Sequence, residues 1–472
     1  MATDVGLSAP MATAPRPDRG IRVLAGASGV GFILAICGSN AMTPLLPGYM
    51  DTHDFGPAAA SVLFATYFIA LIIVLLISAR GPLIRHARTV LPIAFLAAIT
   101  GDLLQIAGAS VELLLFPGRF LTGASVGLST GAAAAIMVAA RGERGRAFIA
   151  SGSLIGAGTG LVAAIAIAVF LPWQLVTVYA IHAAATAVCL IVLLVGLRLA
   201  PDLLAPRRDS SRDAGDVAPR RQPASTAPAY TGDLDVARAR RRDPGAYLVG
   251  ALAWAIGALA VGAMPAAILA TGASDSLLVA QCVGGACLLV SMVASFAGAG
   301  VRIVTTLPAV GVLLVIGWST AVVGLILGRL DVIVLGTVVG GVGQAGGYRV
   351  ALATITGGLI AVEQGRVASR FSAFAYSGAG VMVVLDGIAG QAVGTIGGAV
   401  VTGIVYAVVA AVAIALVVRR DRAATGGQSA STCAVGDPGR RVVGAAPWAG
   451  RTAKPQVSKA FHGQSPRPHR DL

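Results

Sequence analysis

Apolar runs long enough to cross a bilayer leave this chain few folds to choose from. They cover 23–47, 58–79, 89–109, 113–140, 147–172 and 174–197, then 246–270, 275–298, 303–327, 331–357, 367–389 and 393–418. A membrane-spanning helix takes about 20 such residues. Lipid offers backbone groups no hydrogen-bond partners, so only helices and closed barrels span it. Barrel strands are alternating segments of about ten residues, whereas these runs are twice as long and uninterrupted. The pattern predicts an all-α membrane protein with twelve transmembrane helices. Composition agrees: 12% of residues are charged, half of the roughly 25% usual in soluble domains.

Polar stretches divide the chain into a cytoplasmic N-terminal tail 1–21, a six-helix bundle 22–198, a linker 199–245, a second six-helix bundle 246–418 and a tail 419–472. The two bundles are nearly equal, at 177 and 173 residues, which predicts pseudo-symmetric halves. The linker's nine arginines and seven aspartates, set among Pro, Ser and Ala, show no apolar periodicity. Linker and tail both read as disordered and cytoplasmic. The tail holds both lysines, Lys454 and Lys459.

Charge in the short loops orients the spans. With the N-terminus inside, the inner loops hold Arg80, Arg85 and Arg88, then Arg141, Arg144 and Arg146, then Arg302, then Arg366 and Arg370. The outer loops hold Asp51, Asp54, Glu112, Asp275 and Asp331, with Arg329 the one clear basic residue. The positive-inside rule predicts a multi-pass plasma-membrane protein with both termini in the cytoplasm. The net charge of +14 follows from this loop pattern, so no nucleic-acid partner is expected. Cys37, Cys189, Cys282 and Cys287 fall inside apolar runs and Cys433 in the tail, without pairing or metal spacing. Arg16, Arg19 and Arg22 precede a long apolar run with no small-residue cleavage site, so the first span reads as retained.

Weak repeats link the halves. Gly123-xxx-Gly127 in the fourth span returns as Gly336-xxx-Gly340 in the tenth, and Gly145-Arg146 before the fifth returns as Gly365-Arg366 before the eleventh. Gly158-Thr159-Gly160 returns as Gly378-Ala379-Gly380. The segment Gly118-Arg119-Phe120-Leu121-Thr122-Gly123 resembles the fourth-span motif of the major facilitator superfamily, an arginine with glycine four residues later. Asn40-Ala41-Met42-Thr43-Pro44-Leu45-Leu46-Pro47 is similar to the end of that family's first span. The resemblance covers roughly residues 22–418. It implies secondary transport by rocking of two six-helix halves about a midplane site. Two departures stand out. The loop Gly81-Pro82-Leu83-Ile84-Arg85-His86-Ala87-Arg88 keeps the family's glycine and arginines but lacks its aspartate. The fifth span reads Gly160-Leu161 where proton antiporters of the family carry Gly-Pro.

Charges inside spans are costly and mark function by default. Asp102 and Arg119 fall at similar depth on adjacent helices, which predicts a charge couple. Such a couple is either a structural salt bridge or a protonatable carboxylate answering to Arg119. Asp386 and His182 are the other proton-coupling candidates, each with a plain alternative: Asp386 reaching the outer interface, His182 hydrogen-bonded in a core. Arg349 faces a cavity, a carboxylate or carbonyls, or snorkels to the inner surface. With Asn40, Tyr67, Trp254, Gln281, Trp318 and Gln344, it completes the candidate cavity lining. Gly81, Arg85 and Arg88 form the candidate gating loop.

The leading functional reading is a secondary active transporter that exports a small apolar or amphipathic organic compound by alternating access, coupled to protons. Proton-coupled uptake of a small metabolite is the alternative. From other classes come a transport-inactive sensor or scaffold, and a membrane enzyme acting on lipid-linked substrates. The enzyme would need clustered acid, base or metal groups, and the sequence offers none, nor any nucleotide-binding loop. No metal or cofactor is expected. The partners are a small-molecule substrate, protons and the lipid bilayer, with the chain as a monomer.

Overall fold

The computed structural model describes residues 18–54, 57–204, 243–297 and 305–434. Twelve long helices carry the fold: α1 (Arg19–Ala41), α2 (Pro57–Ala79), α3 (Ala87–Gly108), α4 (Leu115–Arg141), α5 (Glu143–Phe170), α6 (Gln174–Leu199), α7 (Pro244–Gly262), α8 (Leu277–Ala297), α9 (Leu307–Leu327), α10 (Leu330–Thr356), α11 (Ala361–Val393) and α12 (Thr395–Ala434). Among the described residues, eleven helices are long and apolar enough to cross a membrane. The 23-residue α2 takes the twelfth place, with an apolar stretch over Thr66–Ala79.

Local chemistry sets the ends. Asp243 caps α7, its carboxylate accepting from Gly245 N at 3.0 Å and Ala246 N at 3.3 Å, with Pro244 in the first turn. That suits a residue whose side chain replaces missing helix bonds. The turn between α4 and α5 is the single residue Gly142 at φ +55°, a left-handed backbone that glycine adopts without steric cost. Large apolar side chains such as Ile69, Leu76, Val188, Ile191, Ile404 and Val408 remain exposed, as lipid-facing positions must.

The halves match helix for helix. In the first, α1 packs on α4, α5 and α6, while α4 packs on α2 and α3. Adding six gives the second half, where α7 packs on α10 and α11, and α10 packs on α8 and α9. Tyr406 of α12 donates to Leu252 O of α7 at 2.9 Å, the counterpart of the α1–α6 pairing. Between the halves, α2 meets α11 and α5 meets α8, and α4 meets α11 and α5 meets α10. The glycine repeat of the fourth and tenth spans does not follow this symmetry. Gly123 and Gly127 face α2, whereas Gly336 faces α9 and Gly340 lies against Ile256 of α7. A few residues of register rotate a helical position to another face.

One end of the bundles gathers the arginines. There Arg88, at the start of α3, donates to Leu197 O (2.7 Å), Ala200 O (2.6 Å) and Leu203 O (2.9 Å), closing the end of α6. Arg420 pairs with Asp243, tying α12 to the start of α7. The chain divides into two units, Met1–Asp421 and Arg422–Leu472. In the second, the described residues continue α12 as helix to Ala434, beyond the span end at 418 read from hydropathy. The remaining linker positions 205–242, the N-terminal positions 1–17, Arg302 and the tail positions 435–472 lie outside the described residues.

Candidate functional site

A cavity sits between the bundles, reached by the end of α1, the first turns of α4 and the middles of α2, α7 and α11. Ser39, Asn40 and Thr43 at the end of α1, Tyr67 and Phe68 of α2 and Arg119 of α4 form one wall. Trp254, Gly257 and Val261 of α7, Leu288 of α8, and Tyr376 and Ala379 of α11 form the other. The bend after α1 comes from Thr43-Pro44-Leu45, a short 3₁₀ turn that turns Asn40 and Thr43 toward this space. One aromatic contact crosses the interface, Phe68 lying 6.4 Å from Tyr376, which lies 4.6 Å from Trp254 of its own half.

Of the proposed lining residues, Asn40, Tyr67 and Trp254 are in this wall, joined by Arg119. Asn40 is held by Ile36 O at 3.0 Å and Ser39 Oγ at 3.1 Å. Gln344 lies one layer behind Gly257, with Ser291 Oγ 2.5 Å from its Oε1. Trp318 packs on Tyr406 at 6.4 Å inside the second bundle, away from the wall. Gln281 of α8 and Arg349 of α10 are half-buried and also lie outside it. Asp386 of α11 neighbours Thr402 of α12, far along the helix from Ala379.

The depth match between Asp102 and Arg119 does not produce a pair. Asp102 Oδ2 instead meets His182 Nδ1 of α6 at 2.7 Å, and His182 Nε2 meets Leu34 O of α1 at 2.8 Å. Both partners are buried, at 2% and 9% side-chain exposure. Depth fixes height along adjacent helices but not the neighbour. Here α6 packs on both α1 and α3 and brings its histidine to the carboxylate. A carbonyl only accepts, so Nε2 carries hydrogen. The 2.7 Å contact then needs a proton between Nδ1 and Oδ2. Whether imidazolium–carboxylate or imidazole–carboxylic acid, the pair is neutral and stores one exchangeable proton. Arg119 turns the other way: Nη1 donates to Ser39 O at 3.1 Å and Cζ lies 4.9 Å from the Tyr67 ring centroid. Tyr179, one turn from His182 on α6, lies within electrostatic reach of both Arg119 and Asp102.

The arginine-rich end is shut by residues of both halves. Arg146, at the start of α5 and 7% exposed, crosses to the second half. It donates to Thr356 O at the end of α10, to Gln364 Oε1 of α11 and, at 3.2 Å, to Leu359 O. Its Nε is shared with Glu143 at 3.1 Å. The repeat partner Arg366 crosses in the opposite sense and lies on Gly81, whose φ is +104°. A side chain at 81 would have to displace that guanidinium, whose Cζ lies 2.7 Å from the Cβ position, and would be strained at this φ. Of the proposed gating loop, Gly81 is thus in the closure, Arg88 anchors α6, and Arg85 is exposed. Sequence reading placed Arg146 among loop arginines and missed its reach. Its one signal was the repeated Gly-Arg dipeptide.

Two matched bundles around a cavity within the helices, closed at one end by cross-bundle contacts, define a multi-pass membrane transporter. The family model of the Major Facilitator Superfamily matches residues 29–327, and the chain belongs to that family. Among solved structures, the chain is similar in fold to the fucose:proton symporter FucP of E. coli, in a form carrying one substitution. That likeness has a TM-score of 0.51 at 16% identity, over 85% of this chain and 99% of that one. FucP in the outward conformation gives 0.51 at 15% identity with the same coverage. Comparison with curated proteins returns no match.

Proposed function

We propose that this transporter exports a small amphipathic organic compound in exchange for protons, with Asp102–His182 as the proton-coupling site. The observation that carries the reading is the cavity between the bundles, which mixes aromatic walls with Asn40 and Arg119, in a bundle that also buries a one-proton pair. Tyr179 lies within electrostatic reach of both Arg119 and Asp102, so a change of charge at one alters the field felt near the other. Export suits such a cargo: amphipathic compounds enter cells by partitioning through lipid, and only their removal needs work. We place the arginine-rich end in the cytoplasm of a plasma-membrane protein, on the positive-inside rule. The resting cavity then faces outward, with Arg146 and Arg366 holding the cytoplasmic end shut.

The test is proton flux. Full-length protein is reconstituted in vesicles with an entrapped pH dye, and benzoate, benzamide, benzylamine and indole are each added across an imposed pH gradient. At least one is expected to move protons in a saturable, protein-dependent way that a protonophore removes. Responses equal to protein-free vesicles for the whole panel would contradict coupling.

A further inference from the structure

The cavity's charge balance narrows the cargo. We infer that the transported compound is a small organic anion, a monocarboxylate with an apolar body, whose carboxylate docks on Arg119; this rests on the transporter reading above. Arg119 is 1% exposed, fully inside the bundle, yet it lines the cavity. An arginine does not shed its proton, and an isolated buried charge carries a large desolvation cost. Proteins meet that cost with a carboxylate, but none pairs with Arg119 among the described residues. The carboxylate at matching depth, Asp102, is engaged by His182 at 2.7 Å. What surrounds the guanidinium is neutral: the Ser39 carbonyl at 3.1 Å and the face of Tyr67 at 4.9 Å. Its Nε has no hydrogen-bond acceptor, and neither does Trp254 Nε1 in the facing wall.

Two donors without an acceptor and one uncompensated positive charge therefore belong to residues that line a space holding no acid. An acceptor-only, negatively charged group completes such a site, and a carboxylate accepts from a guanidinium with strong, charge-assisted bonds. The rest of the wall sets the remainder of the molecule. Phe68, Tyr376, Trp254 and Leu288 present apolar and aromatic surface that a bare inorganic anion would leave unused. A positively charged or neutral cargo of equal size leaves Arg119 uncompensated.

The same chemistry explains the need for a carrier. A weak organic acid crosses lipid as the neutral acid, ionises in a neutral interior and is trapped there as the anion. A cavity with a fixed arginine selects the trapped form.

Binding to the purified full-length wild type in detergent, near neutral pH, separates the possibilities without any variant. The probes are benzoate, benzamide, benzylamine, hexanoate, hexanamide and the inorganic anions chloride and nitrate. Each acid is expected to bind at least about tenfold tighter than its amide, because a bond to a charged partner outweighs a neutral one. Benzylamine is expected to bind least. Arg119→Lys, which keeps the charge, is expected to retain the acid-over-amide order, and Arg119→Gln to lose it. Equal binding of acid and amide, tighter binding of the amine, or no binding by either acid overturns the inference. So does nitrate or chloride binding as tightly as benzoate. Proton flux driven by benzamide or indole but by no acid would also overturn it while leaving the transporter reading in place. Acid-selective binding without any flux would overturn transport and leave the anion site standing.

Discussion

Asp102→Asn is expected to abolish pH-driven accumulation while leaving cargo exchange without a gradient nearly intact. Asparagine preserves volume and a hydrogen-bonding oxygen beside His182 Nδ1, now 2.7 Å from the carboxylate, but it carries no exchangeable proton. The loaded cavity still cycles, so exchange continues; the accumulated level falls to that set by the cargo gradient alone. His182→Ala is the harsher change. It leaves Asp102, 1% exposed, buried with no partner, and stranding one member of a buried pair costs about 3–5 kcal/mol. That variant should lose thermal stability together with transport. A stable Asp102→Asn protein with full pH-driven accumulation would move the coupling site elsewhere, first to Asp386.

Arg146→Ala is expected to open the arginine-rich end. Its bonds to Thr356 O, Leu359 O and Gln364 are charge-assisted, each worth about 1.5–3 kcal/mol. Part of that is returned when water enters, and the net bias falls in the ~1–3 kcal/mol range of conformational coupling, a population shift of roughly 5–150-fold. Spin labels at the exposed positions Arg144 and Ile360 report it. The distance distribution should move to longer values in the variant, and cargo should then bind from the arginine-rich side. An unchanged distribution would show that Arg146 holds nothing shut.

Much of this architecture was written in the sequence. Apolar runs of spanning length fixed twelve helices because lipid leaves the backbone no alternative to internal hydrogen bonds. The first six long helices and the last six pack by the same scheme. The site was legible only in part. Asn40, Tyr67, Trp254 and Arg119 fell in the cavity, as polar groups within spans seek partners or water-filled space. Trp318 met the same description and packs on Tyr406 instead. Hydropathy reports depth, not direction. For the same reason Asp102 and Arg119 share a level but not a bond, since which helix lies beside a carboxylate is decided by tertiary packing. The reach of Arg146 was hidden because the carbonyls it binds, at Thr356 and Leu359, leave no mark in side-chain sequence.

Alternating exposure of the central cavity is the claim on which the rest depends, and cysteine accessibility measures it most directly. Ala258 lines the cavity from α7 and is half-buried, so Ala258→Cys, in a full-length chain whose native cysteines are replaced, presents one thiol there. Vesicles of known orientation are treated with a membrane-impermeant thiol reagent from one face or the other. With Arg146 present, labelling should come from the face opposite the arginine-rich end; with Arg146→Ala, it should come from both. A thiol that reacts from the arginine-rich face alone while Arg146 is intact, or from neither face in either protein, would contradict the account.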